Sequence, residues 1–148
     1  MIKLGIFDGK SSIGLCSEQR LEWILTDLSA ILSKTTTIPI QETQSNNVIE
    51  LIVKHSEMKS IVTCSEYIPL FIDISERVDA IKNIICMDRF NLTLVDQERL
   101  KKRDVSFHFF TEVEELGKKW EEDYPIIKSE KSDIMTIVYT SGSTGKRF

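Results

Sequence analysis

The chain has 148 residues, enough for one domain with a real core, and its 41% hydrophobic and 28% charged content is that of an ordinary globular protein. A net charge of −4 argues against nucleic acid as a partner, which would call for a basic face. No apolar run approaches the roughly 20 residues of a membrane-spanning helix, and Met1 to Gly5 lacks the apolar core of a signal peptide.

Taken in order, strand-length apolar runs alternate with helical periodicity. Residues 12–17 read as a strand. Residues 18–33 read as a helix, because Leu21, Ile24, Leu25, Leu28, Ile31 and Leu32 recur at spacings of three and four. Trp23 shares that apolar face and is expected in the core. Residues 35–40, rich in β-branched side chains, form a second strand. Ser45 or Asn46 then caps a helix running to about residue 54. Residues 59–64 are a third strand, 66–77 a helix and 83–87 a fourth strand. Residues 95–102 predict a short helix and 105–110 a strand or loop. Thr111 is placed to cap a charged helix over 112–123, which Pro125 ends; Trp120 is expected to be its half-buried anchor. A polar linker, 127–132, leads into a last run, 134–139, apolar nearly throughout and so expected to be covered on both faces.

Such alternation implies βαβ units: an α/β fold with a mainly parallel sheet and helices on both faces. Gly14, Ile38, Ile61, Ile85 and Ile137 are expected on interior strands. The last strand has only nine residues after it, too few to cover it, so the domain is expected to be incomplete and aggregation-prone when isolated. Cys16, Cys64 and Cys86 have no C-x-x-C spacing and read as small buried hydrophobes. His55, at a helix end, and His108, between phenylalanines, read as structural. The basic runs Lys101-Lys102-Arg103 and Lys118-Lys119 read as solvated helix faces.

The informative stretch is Tyr139-Thr140-Ser141-Gly142-Ser143-Thr144-Gly145-Lys146, directly after the last strand. Glycines admit close backbone approach, so that successive N–H groups, hydroxyls and one ammonium can surround a phosphate. A Walker A loop is excluded: its first glycine would fall at Thr140, and Arg147 stands where Ser or Thr is required. The dinucleotide pattern G-x-G-x-x-G lacks its third glycine.

The stretch resembles the phosphate loop of adenylate-forming enzymes, Y-T-S-G-[ST]-T-G-x-P-K-G, the superfamily of acyl-CoA synthetases, luciferases and peptide-synthetase adenylation domains. Residues 139–145 match it position by position. Arg147 and Phe148 then depart from its proline and second lysine. Ile13-Gly14-Leu15-Cys16-Ser17-Glu18-Gln19-Arg20-Leu21-Glu22-Trp23 resembles the segment (V/I)-G-I-x-S-x-N-R-x-E-W of long-chain acyl-CoA synthetases, with Gln19 and Leu21 where asparagine and proline are common. Residues 37–57 are similar to the next strand and helix of the same enzymes.

The resemblance implies a partial N-terminal portion of the large AMP-binding domain over 1–148, ending within the phosphate loop. It implies a long-chain fatty acid–CoA ligase, which activates a fatty acid with ATP to acyl-AMP and transfers it to coenzyme A. Thr140, Ser141, Gly142, Ser143, Thr144, Gly145 and Lys146 would hold the ATP phosphates, with Mg2+ bridging them. No catalytic residue and no protein metal ligand can be assigned, since the family's adenine pocket, ribose-binding aspartate and mobile-domain lysine lie downstream. The isolated chain is therefore expected to be inactive. The expected location is cytoplasmic, or the cytosolic face of endoplasmic reticulum or peroxisomal membranes, with membrane association only through segments outside this chain. Two alternatives stay open: another adenylate-former (a short-chain or aromatic acid–CoA ligase, or a peptide-synthetase module), and a non-catalytic α/β nucleotide-binding or interaction module.

Overall fold

The computed structural model describes residues 1, 4–7, 9–119 and 127–140. Five strands, β1 (Ser12–Cys16), β2 (Thr36–Pro39), β3 (Ser60–Thr63), β4 (Asn83–Cys86) and β5 (Ser106–Phe109), alternate with five helices. These are α1 (Leu21–Leu32), α2 (Asn46–Ser56), α3 (Ile68–Arg77, after a 3₁₀ turn at Ser65–Tyr67), α4 (Leu94–Lys102) and α5 (Phe110–Lys119). The strand order is β2-β1-β3-β4-β5, with every neighbouring pair parallel. This is a doubly wound sheet whose direction of winding reverses between β1 and β3.

Alternation along the strands divides the core in two. Cys16, Ile38, Ile61, Ile84 and Cys86 face α2, α3 and α4, where Ile49, Ile52, Val53, Phe71, Ile72 and Leu100 complete one cluster. Ile13, Leu15, Val62 and Ile85 face the other side, against Ala30 of α1, Phe110 and Val113 of α5, and Ile6 and Phe7. Gly14 is fixed by contact on the first face. A Cβ there would lie 2.5 Å from Ile61 Cδ1 and 2.6 Å from Met58 Sδ.

Three expectations need correction. The leucine stripe of α1 does not face the core: Leu21, Ile24, Leu28 and Leu32 are half or more exposed, and Thr26 and Ala30 are buried instead. Thr26 donates to the Glu22 carbonyl at 2.7 Å, so its hydroxyl is satisfied within the helix while small side chains let α1 lie close on the sheet. Trp23 packs, partly buried, on the second cluster as expected. Residues 134–139 are not an interior strand. They touch the sheet through one parallel bridge, Thr37 to Thr136, and Ile134, Met135, Ile137 and Val138 are exposed. Ile38 consequently sits on the edge strand of the five, whereas Gly14, Ile61 and Ile85 are interior.

Smaller differences are local. Helix α1 begins at Leu21, not residue 18, and Thr111 lies inside α5 rather than capping it. His108 alternates away from Phe107 and Phe109, which stack edge-to-face with each other and with Phe90. Trp120 lies outside the described residues.

The exposed stripe of α1 yields a test. Leu28→Glu with Leu32→Glu is expected to raise solubility while leaving the melting temperature within a few degrees, because both side chains are more than half exposed and belong to neither core cluster. A fall of about 10 °C or more would mean that the stripe packs within this chain.

Candidate functional site

Two places carry functional geometry, the stem of the predicted phosphate loop and the carboxyl edge of the sheet. Of the predicted phosphate-binding residues, Thr140 is described and exposed. Ser141, Gly142, Ser143, Thr144, Gly145 and Lys146 lie outside the described residues.

The stem is held by β2. Thr37 N–H donates to the Met135 carbonyl at 3.0 Å, and Ile137 N–H donates to the Thr37 carbonyl at 2.9 Å. The Thr36 hydroxyl donates to the Ile134 carbonyl at 2.9 Å. The Thr37 hydroxyl lies 3.0 Å from that of Thr136 and donates to Asp27 of α1 at 2.9 Å. Upstream, the Lys34 ammonium pairs with Asp133 at 3.1 Å and Glu130 at 3.6 Å. Past the bridge, Tyr139 turns inward against the first core cluster, and its hydroxyl lies 2.7 Å from Nδ1 of His55. His55 belongs to the last turn of α2, the end that leads into the amino end of β3. The last described side-chain anchor of the stem is therefore on α2, while the parallel bridge runs the stem in the direction of β2.

At the carboxyl edge, Arg20 ties three loops together. Its Nε and Nη2 donate to Glu22 at 2.7 and 3.1 Å, and Nη1 donates to Asp88 at 2.7 Å. The second Asp88 oxygen accepts from Ser65 N–H at 2.8 Å. The network joins the loops after β1, β3 and β4, which flank the crevice where open α/β sheets bind ligands. The Arg20 bond holds the Glu22 carboxyl below its usual value. Burial alone would push Asp88 up, but Ser65 N–H and Arg20 outweigh it and hold Asp88 below its ordinary value too. Sequence reasoning quoted Arg20 and Glu22 only inside a motif and missed Asp88, which is 68 residues away from Arg20 in the chain.

The three cysteines converge on the same edge from β1, β3 and β4 and are free thiols. Burial pushes Cys16 up to about 12 and Cys86 to about 11, and raises Cys64, which is only partly buried. Among the described residues no group of three His, Cys, Asp or Glu side chains could hold a metal ion. Nor is any helix among them long and apolar enough to cross a membrane. A basic hollow of about 520 Å³ lies at the opposite end, lined by Lys54, Glu57, Arg77 and Lys82 among others. Lys54 and Arg77 there occupy the last turns of α2 and α3, where cations complement helix carboxyl termini.

With this geometry in view, comparison with known proteins is decisive for the family. A model of AMP-binding enzymes matches residues 1–147. The chain belongs to the AMP-binding enzyme family. It is similar to the peroxisomal acyl-CoA ligase 891 of Penicillium brevicompactum, with 30% identity over 93% of this chain and 20% of that protein. It is also similar to fatty acyl-CoA synthetase B of Dictyostelium discoideum, with 26% identity over 92% of this chain and 20% of that protein. In structure it resembles the A-PCP didomain of a carboxylic acid reductase from Segniliparus rugosus, solved in complex with AMP. That likeness has a TM-score of 0.69 at 14% identity and covers 91% of this chain and 20% of that one. The chain thus spans about a fifth of the length of the curated AMP-binding relatives it matches.

Two measurements probe the carboxyl edge. Carboxyls held below their unfolded pKa of about 4 lend stability that is complete above that pH and is lost as pH falls through the depressed values. Asp88→Asn is expected to cost about 1 kcal/mol at pH 7, the pair being partly exposed, and to flatten the acid limb of the stability curve. Superimposable acid limbs would contradict this. In the native protein Cys64 should react with iodoacetamide well before Cys86 and Cys16, and labelling of Cys16 first would contradict the burial order.

Proposed function

We propose that this chain supplies the N-terminal part of an ATP-dependent acid–thiol ligase of the long-chain fatty acid–CoA type, acting in fatty acid metabolism. The observation that carries the reading is the family match across residues 1–147. The names of the two relatives, an acyl-CoA ligase and a fatty acyl-CoA synthetase, support acyl substrates. The resemblance of residues 13–64 to long-chain enzymes favours that branch.

In the proposed reaction a carboxylate oxygen attacks the α-phosphorus of ATP. A new C–O–P linkage forms, the α–β bridge breaks and pyrophosphate leaves. The sulfur of coenzyme A then attacks the acyl carbon, forming the thioester, releasing AMP and passing the thiol proton to solvent. Such phosphoryl chemistry is governed by positioning and by stabilisation of charge on phosphate oxygens. The residues proposed for it are Thr140, Ser141, Ser143 and Thr144 as hydroxyl donors, Gly142 and Gly145 as backbone donors, and Lys146 as the cation. The hydroxyl- and glycine-rich donor set suits a triphosphate, and Mg2+ is expected to arrive with ATP as part of the substrate. The attack on ATP needs no general base, because the acid is already ionised.

Two results test the reading. The isolated chain should bind Mg·ATP in the millimolar range, and Lys146→Ala should weaken binding by roughly 1.5–3 kcal/mol at most, the value of one hydrogen bond to a charged group. Calorimetry showing no dependence on Lys146 would count against the loop. The chain alone should support no fatty-acid-dependent ATP–pyrophosphate exchange, and exchange above background would show that the catalytic parts assigned elsewhere lie within these residues.

A further inference from the structure

Between the bridge on β2 and the proposed phosphate loop, the stem has a single inward anchor among the described residues. Ile134, Met135, Ile137 and Val138 are exposed, and the backbone bonds to β2 end with Ile137 N–H to the Thr37 carbonyl. Tyr139 alone turns back, packing partly buried on the first core cluster. Its hydroxyl meets His55 Nδ1 at 2.7 Å, and the two rings stand edge-to-face at 89° with centroids 5.8 Å apart. A hydrogen bond and a perpendicular ring contact together fix both the position and the tilt of the phenol.

His55 is itself on a firm base. Ile52 and Val53, just before it on α2, are buried, and Met58, just after the helix, is fully buried. The helix closes through Glu57 in the left-handed conformation, at φ 51°. Only Thr140 separates Tyr139 from Ser141 of the proposed phosphate loop. Any displacement of the Tyr139 backbone is therefore passed to the start of the loop.

We propose that His55 is a positioning residue for the phosphate loop. Through Nδ1 it clamps the Tyr139 hydroxyl and sets where the loop leaves the fold. This rests on the reading that residues 140–146 hold the ATP phosphates. The imidazole touches no phosphate and acts only through Tyr139. Either partner can donate, so the clamp needs no particular charge on the ring.

The experiment compares the wild-type chain with His55→Ala, His55→Asn and Tyr139→Phe. The first readout needs no nucleotide: hydrogen exchange at the Ile137 amide, with β1 and β3 amides as internal references for intact folding. Loss of the clamp should speed Ile137 exchange about threefold to tenfold in His55→Ala and Tyr139→Phe, the range of one partly exposed hydrogen bond. His55→Asn, which keeps a polar atom near the Nδ1 position, should recover part of the loss. The second readout is Mg·ATP affinity, expected to fall by a similar factor in His55→Ala and to recover in His55→Asn. Unchanged Ile137 exchange in His55→Ala would overturn the clamp. Faster exchange with unchanged, Lys146-dependent affinity would overturn the positioning role. If the wild-type chain shows no Lys146-dependent Mg·ATP binding, the phosphate-loop reading fails, and the role proposed for His55 fails with it, whatever the exchange rates.

Discussion

A parallel sheet must be covered on both faces, because its crossover connections place helices there and its strands carry apolar side chains on both sides. In this chain that requirement fixes nearly everything else. Helices α2, α3 and α4 cover one face and α1 and α5 the other, and each core cluster draws on alternate residues of the same strands. The reversal of winding between β1 and β3 then brings the loops after β1, β3 and β4 together at the carboxyl edge. Arg20, Glu22, Asp88 and Ser65 N–H lock those loops into one network. Where cover runs out, regular structure runs out with it: among the described residues 134–138 lie beside β2 alone and form one bridge.

The strands were legible in the sequence because burial on both faces writes itself as short segments with adjacent apolar residues, such as Ile61-Val62 in β3 and Ile84-Ile85-Cys86 in β4. Helix α1 was legible as a helix but not in its orientation. Periodicity finds the stripe of Leu21, Ile24, Leu25, Leu28 and Leu32, but it cannot say on which side a partner lies. In this fold the close contact with the sheet goes to Thr26 and Ala30, small enough for near approach. The same limit explains the last apolar run, whose composition suits an interior strand while its neighbours leave it at the rim. A helix apolar on its outer face and a bare apolar stem meet on one hydroxyl, since Thr37 bonds both Asp27 and Thr136.

The candidate site was legible in part. The loop's hydroxyls, glycines and lysine form a local pattern, readable without any tertiary knowledge. What holds the stem and the carboxyl edge is not local. Tyr139 meets His55 across 84 residues of sequence, and Arg20 meets Asp88 across 68. A histidine at a helix end reads as a partner for the helix dipole, and nothing in its neighbours along the chain points to a tyrosine so far away. The family match identifies an AMP-binding enzyme, while the stem and its anchors show how the fold holds residues 134–139.

The most direct test of the account is a residue-by-residue NMR titration of the chain with Mg·ATP. The account predicts saturable shifts concentrated in residues 140–146, with smaller ones at Tyr139 and His55, all requiring higher Mg·ATP in Lys146→Ala. Shifts concentrated instead around Lys54, Arg77 and Lys82, the basic hollow at the ends of α2 and α3, or around Arg20 and Asp88, with residues 140–146 unmoved, would contradict it.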